Sequence, residues 1–100
     1  YNMAQRDRSE IKKSLEFKGF KRREGAHQYY VYYTTNGKQT IIKTKLSRGS
    51  GYKVYSDPLL AAMAKQCKLT KGKFLDLVDC SLSQNDYEGI LSTLKPNPLI

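Results

Sequence analysis

His27 is the only histidine in this chain of 100 residues, and its neighbours on both sides suit nucleic acid. Lys21-Arg22-Arg23 precede it, and Gln28-Tyr29-Tyr30-Val31-Tyr32-Tyr33 follow. Histidine is the one side chain whose ordinary pKa lets it move a proton near neutral pH. Lysine and arginine seek phosphate, and tyrosine offers a face on which a base can stack. Metal-independent RNA cleavage requires such parts. A base removes the ribose 2′-OH proton, cations hold the charge that builds on phosphorus, and an acid protonates the leaving 5′-oxygen. His27 is the candidate base. Lys21, Arg22, Arg23, Lys43, Lys45 and Arg48 are candidates for phosphate contact. With a single histidine, the acid has to be a tyrosine, a lysine or water. The expected products are a 2′,3′-cyclic phosphate and a 5′-hydroxyl.

The distribution of charge favours the same chemistry. The net charge is +9, and all of it lies in the first half. Residues 1–54 carry 13 Lys and Arg against 4 Asp and Glu, whereas residues 55–100 carry 5 of each. An anionic partner is drawn to the first half, and RNA fits better than a membrane, because the basic residues do not lie opposite a strongly apolar helix face. No apolar run approaches the roughly 18 residues that a membrane span needs, so a cytoplasmic protein is expected. Cys67 and Cys80 form no Cys-x-x-Cys pair, and one histidine cannot complete a common zinc set. No metal or cofactor is expected, and both thiols read as free and buried. Tyr1 and Asn2 precede Met3 and read as an addition to the chain.

The elements that must position these residues are legible from spacing. Asp7-x-x-Glu10 reads as a capping box ahead of a helix over about 8–18, with Ile11 and Leu15 on one face and Gly19 as a left-handed cap. A short strand is expected over 20–24 and a second over 27–34. Asn36-Gly37 predicts a two-residue hairpin turn into a third strand over 38–46. A two-residue turn fixes the register, so that paired residue numbers sum to 73. Tyr29, Val31 and Tyr33 then share a core face with Thr44, Ile42 and Thr40. Gln28, Tyr30 and Tyr32 share an outer face with Lys45, Lys43 and Ile41, where aromatics and lysines together suit RNA stacking.

Residues 47–56 read as a glycine-containing loop that lacks Walker spacing. Asp57-Pro58 predicts an N-cap and first helical position, and Leu60, Met63, Ala64 and Cys67 predict an amphipathic helix. Thr70 opens another helix with Phe74, Leu75, Leu77 and Val78. Ser83 opens a last one, with Leu82 and Tyr87 as a hydrophobic staple. The expected fold is α+β: a small three-stranded antiparallel sheet with helices packed on one face, in the order α-β-β-β-α, plus extra C-terminal helices.

Helix 1, Gly19-Phe20, the basic stretch, Gly25-Ala26-His27, the hairpin and the following helix together resemble the HicA family of toxins, over roughly residues 7–68. The resemblance implies a double-stranded-RNA-binding-domain-like fold over 3–69, mRNA interferase activity and a catalytic role for His27. It also implies a protein partner, a HicB-like antitoxin that covers His27 and the basic face. The family's Gly-Ser-His is Gly-Ala-His here, and Arg48 stands where many members carry a second histidine. Residues 70–94 extend beyond the minimal family domain and read as a helical extension packed on the same domain. Two other readings stay open: a non-catalytic RNA-binding module on the same surface, and a protein-interaction domain that docks through residues 70–94.

Overall fold

The computed structural model describes residues 5–24, 28–46 and 53–99. In chain order the elements are β1 (Arg6–Asp7), α1 (Arg8–Phe17), β2 (Phe20–Arg23), β3 (Tyr29–Tyr33), β4 (Gln39–Lys45), β5 (Val54–Tyr55), α2 (Asp57–Gln66), α3 (Lys71–Val78) and α4 (Gln84–Ser92). The expected α+β architecture is present. β2, β3 and β4 form an antiparallel sheet with β3 in the centre. The helices bury one face of it, and one apolar cluster runs from Ile11 and Leu15 through Phe20, Tyr32, Ile42 and Leu60 to Phe74, Tyr87 and Leu91. Residues on both sides of position 70 therefore share one core.

The entry into α1 differs from the capping box expected there. Asp7 stands at the N-cap position, but its side chain caps nothing. It belongs instead to a two-residue ladder, in which Arg6 pairs with Tyr55 and Asp7 with Val54, and the Arg8 N–H donates to the Lys53 carbonyl at 2.8 Å. A two-residue strand shows no alternation pattern, so nothing in the sequence marks the ladder. At the other end of α1, Gly19 has φ +98°, and a Cβ there would lie 2.3 Å from Gln84 Nε2 and 2.8 Å from the Tyr33 carbonyl oxygen. Both the conformation and the space call for glycine.

α1 is bolted to the C-terminus of α3. Ser14 Oγ donates to the Val78 carbonyl at 2.6 Å, and the Lys18 Nζ donates to the Leu77 and Leu82 carbonyls at 3.0 and 2.6 Å. Lys18 is 3% exposed. A lysine there gives the Leu77 carbonyl, which accepts only a long 3.3 Å bond from the Cys80 N–H, a second donor, and it suits the negative end of the α3 dipole. Nearby, Arg6 grips Asp79 through two nitrogens at 2.8 and 2.7 Å, and this bond holds the Asp79 carboxyl below its usual range.

The N-cap position of α2 is Ser56, one residue earlier than expected; its side chain makes no capping bond, and Pro58 lies in the first turn. Its end and that of α3 are alike. The Leu69 N–H reaches the Ala64 carbonyl, and the Ser81 N–H reaches the Asp76 carbonyl. In both turns a non-glycine residue, Lys68 (φ 64°) or Cys80 (φ 68°), takes the left-handed position. This removes Cys80 from the core: Cys67 is buried as expected, but Cys80 is exposed. Burial pushes the Cys67 thiol up to about 12.

Two outcomes follow. Lys18→Met removes the short bond to the Leu82 carbonyl and the second donor of the Leu77 carbonyl, and chemical denaturation should show a loss of about 1–3 kcal/mol. An alkylating reagent at pH 8 should label one thiol of the native protein, Cys80, and both thiols in denaturant, as read by mass spectrometry.

Candidate nucleic-acid interface

The hairpin turn decides which side chains the sheet shows to solvent. Asn36-Gly37 does not form the two-residue turn. The Gly37 N–H donates to the Thr34 carbonyl at 2.8 Å, and the Thr34 N–H to the Lys38 carbonyl at 2.9 Å. Gly37 has φ +82°, while Asn36 is not among the positive-φ residues. This is a three-residue loop, a type I turn closed by a left-handed glycine. The register follows from it. Tyr33 pairs with Gln39, Val31 with Lys43, Tyr30 with Thr44 and Tyr29 with Lys45. Paired numbers sum to 72 near the turn and 74 beyond it, never 73. Between the two stretches β4 carries extra residues, and the Thr40 hydroxyl bridges the gap. It donates to the Tyr32 carbonyl at 2.8 Å and accepts from the Ile42 N–H at 3.2 Å.

A one-residue change of register turns every side chain of a strand over, and here it inverts β3. Tyr30 and Tyr32, expected on the outer face, are fully buried. The Tyr30 hydroxyl donates to Glu16 Oε2 at 2.8 Å, and the Tyr32 hydroxyl to Glu88 Oε1 at 2.7 Å. The Tyr32 ring packs edge-on against Tyr87, with centroids 5.0 Å apart, and tilted against Phe20 at 5.1 Å. Burial first, and these carboxylate bonds second, raise both phenols well above their ordinary value. Neither ring can stack a base, and neither phenol is placed to protonate a leaving group. β4 keeps the face assigned to it: Thr40, Ile42 and Thr44 are inside, and Ile41, Lys43 and Lys45 are outside.

The outer face is therefore built from the other tyrosines. Tyr29 lies directly between Arg23 and Lys45, and Val31 directly between Lys21 and Lys43. Each rung places one cation on each edge strand and an apolar or aromatic residue in the centre. The two cation rows are about 10 Å apart, twice the spacing of neighbouring strands. Lys21 Nζ sits 4.4 Å from the Tyr33 ring centroid, the Arg23 guanidinium 5.6 Å from the same ring, and Lys43 Nζ 5.3 Å from that of Tyr29. These are cation–π distances. The Tyr33 hydroxyl accepts from Arg23 Nη2 and donates to Gln39 Oε1. Ile41 is 79% exposed beside them.

The remaining candidates divide. Lys21, Arg23, Lys43 and Lys45 share the outer face. Arg22 opposes the inward Tyr30; it is exposed at the sheet edge and faces Glu24 at 3.8 Å. Gln28 is half-buried and donates to Glu24 Oε1 at 3.5 Å, so it is not part of the outer face. His27 and Arg48 lie outside the described residues, as does most of the glycine-containing loop over 47–56. Tyr29 and Tyr33 are the residues that the two-residue turn expected from the sequence sends to the core. The run Tyr-Tyr-Val-Tyr-Tyr presents aromatics on either face, and only the size of the turn chooses between them. Among the described residues, no group of three or more His, Cys, Asp or Glu is placed to hold a metal ion, and no helix is long and apolar enough to cross a membrane.

Comparisons of the chain with protein-family models, curated proteins and solved structures found no match.

The two tyrosine pairs should respond differently to loss of a hydroxyl. Tyr32→Phe leaves Glu88 without its buried donor and should cost about 1–2 kcal/mol in a urea melt, while Tyr29→Phe should stay within about 0.5 kcal/mol of the parent.

Proposed function

We propose that this protein binds RNA on the outer face of its sheet and cleaves it without metal, with His27 as the base that activates the ribose 2′-OH. The reading is that of a HicA-type mRNA interferase working in the cytoplasm and held silent by a HicB-like antitoxin. The observation that carries it is the pair of rungs, Arg23-Tyr29-Lys45 and Lys21-Val31-Lys43. They gather four of the proposed phosphate ligands on one open surface, in the half of the chain that holds the whole net charge. Rows of cations on a flat sheet supply sequence-independent phosphate contacts. In the sequence His27 stands between Arg23 and Tyr29, which pair with each other across β2 and β3.

The chemistry has a definite balance. The 2′-oxygen forms a bond to phosphorus as His27 takes its proton, and the bond from phosphorus to the 5′-oxygen breaks as that oxygen gains a proton from a lysine, an outer-face tyrosine or water. The cation rows stabilise the charge on the non-bridging oxygens in the transition state.

Purified protein incubated with labelled mRNA should produce 2′,3′-cyclic phosphate ends. The activity should survive EDTA and disappear in His27→Ala. Lys43→Ala with Lys45→Ala should lower RNA affinity and flatten its salt dependence by about 1.4 in log–log slope, the share of two phosphate contacts on a single strand. Loss of cleavage in EDTA, or unchanged cleavage in His27→Ala, contradicts the mechanism.

A further inference from the structure

Resting on that reading of the outer face, we infer that its substrate is an unpaired strand, with bases stacked on Tyr29 and Tyr33 along the central strand. Aromatic rings occupy the middle of the surface. A face built only for a duplex needs cations where the phosphates pass and has no use for aromatic rings between them, because paired bases stack on one another and leave no ring face open. Here the two cation rows flank a central strand whose outward residues are Tyr29, Val31 and Tyr33. Val31, between the two tyrosines, is only 5% exposed, so the flanking side chains cover it and the strand's outward surface is that of the two rings and the cations beside them. Both tyrosines are half-buried rather than sealed, and side-chain cations lie against their rings. Phosphates arriving along the edges draw those cations outward and free the rings, so that stacking and phosphate contact are gained together.

Spacing adds a second constraint. Tyr29 and Tyr33 are four residues apart on one face, roughly 13 Å along the strand. Neighbouring bases in a stacked helix are separated by roughly 3.4 Å. The two rings therefore cannot take adjacent stacked bases; they take two bases of a strand pulled open, with the intervening nucleotides over Val31. A strand held this way is stretched and unstacked, the state in which a 2′-OH can swing into line with its own phosphate. Tyr33 is also tied by its hydroxyl to Arg23 and Gln39, which limits the ring's movement before RNA arrives.

The test is binding by fluorescence anisotropy with 2′-O-methyl RNA, which has no free nucleophile. A labelled single-stranded 10-mer is compared with the blunt duplex of the same sequence, at one salt concentration. The single strand should bind at least tenfold tighter. Tyr29→Leu with Tyr33→Leu should weaken it by tenfold or more while leaving the duplex unchanged, because base–aromatic stacking is worth about 1–3 kcal/mol per base. Tyr29→Phe with Tyr33→Phe keeps the rings and should restore single-strand binding to within about threefold, which separates stacking from folding. Equal or tighter binding of the duplex, or indifference of the single strand to the leucine pair, overturns the inference and leaves RNA binding by the cation rows intact. Failure of both RNAs to bind at low salt overturns the inference and the functional reading together.

Discussion

The three-residue turn at the tip of the β3–β4 hairpin sets the character of this molecule. Had Asn36-Gly37 closed a two-residue turn, Tyr29, Val31 and Tyr33 would face the helices, and Tyr30 and Tyr32 would face water. The added residue reverses the strand. Four consequences follow: which phenols must find buried partners, which rings line the open face, where the lysines of β4 meet the cations of β2, and what the helices have to supply. The slip along β4, bridged by the Thr40 hydroxyl, keeps the parity on both sides of the irregularity. It also leaves Ile41 standing out on the exposed face.

Turning Tyr30 and Tyr32 inward creates a demand for hydrogen-bond partners, since a buried hydroxyl without one is costly. α1 meets it with Glu16 and α4 with Glu88 and Gln84. Glu88 also accepts from the Thr35 N–H at 2.6 Å, and so clasps the turn that set the register. The C-terminal helices are in this way part of the sheet's own support. Tyr87 joins the Phe20–Tyr32 cluster and donates to the Cys67 carbonyl, and α3 receives Ser14 and Lys18 from α1. A helical layer committed this heavily to polar contacts beneath the sheet leaves the opposite face as the open surface.

Much of this was legible from the chain. Apolar spacing located the four helices, Gly19 and Ser83 marked their ends, and the lopsided charge pointed to the β2–β4 half. The sequence hid the parity of β3, because an aromatic run reads the same on either face and Asn-Gly serves two turn geometries. It also hid β1 and β5, which are too short to show alternation, and the exposure of Cys80, which follows from its place in a left-handed helix end. Lys18 looks like one more solvated lysine in a basic stretch; its burial becomes visible only once the C-terminus of α3 lies against it. Of the residues proposed to contact RNA, Lys21, Arg23, Lys43 and Lys45 come together on one face. The tyrosines beside them are Tyr29 and Tyr33, the two that a rigid alternation from a shorter turn sends inward.

RNA binding on the outer face of the sheet is tested most directly by backbone amide chemical-shift mapping of the full chain as unmethylated single-stranded RNA is added to the His27→Ala form. Shifts should concentrate at Lys21, Arg23, Tyr29, Val31, Tyr33, Lys43 and Lys45, with α3 and α4 quiet. Shifts concentrated on α3 and α4, with those seven residues unmoved, would contradict it.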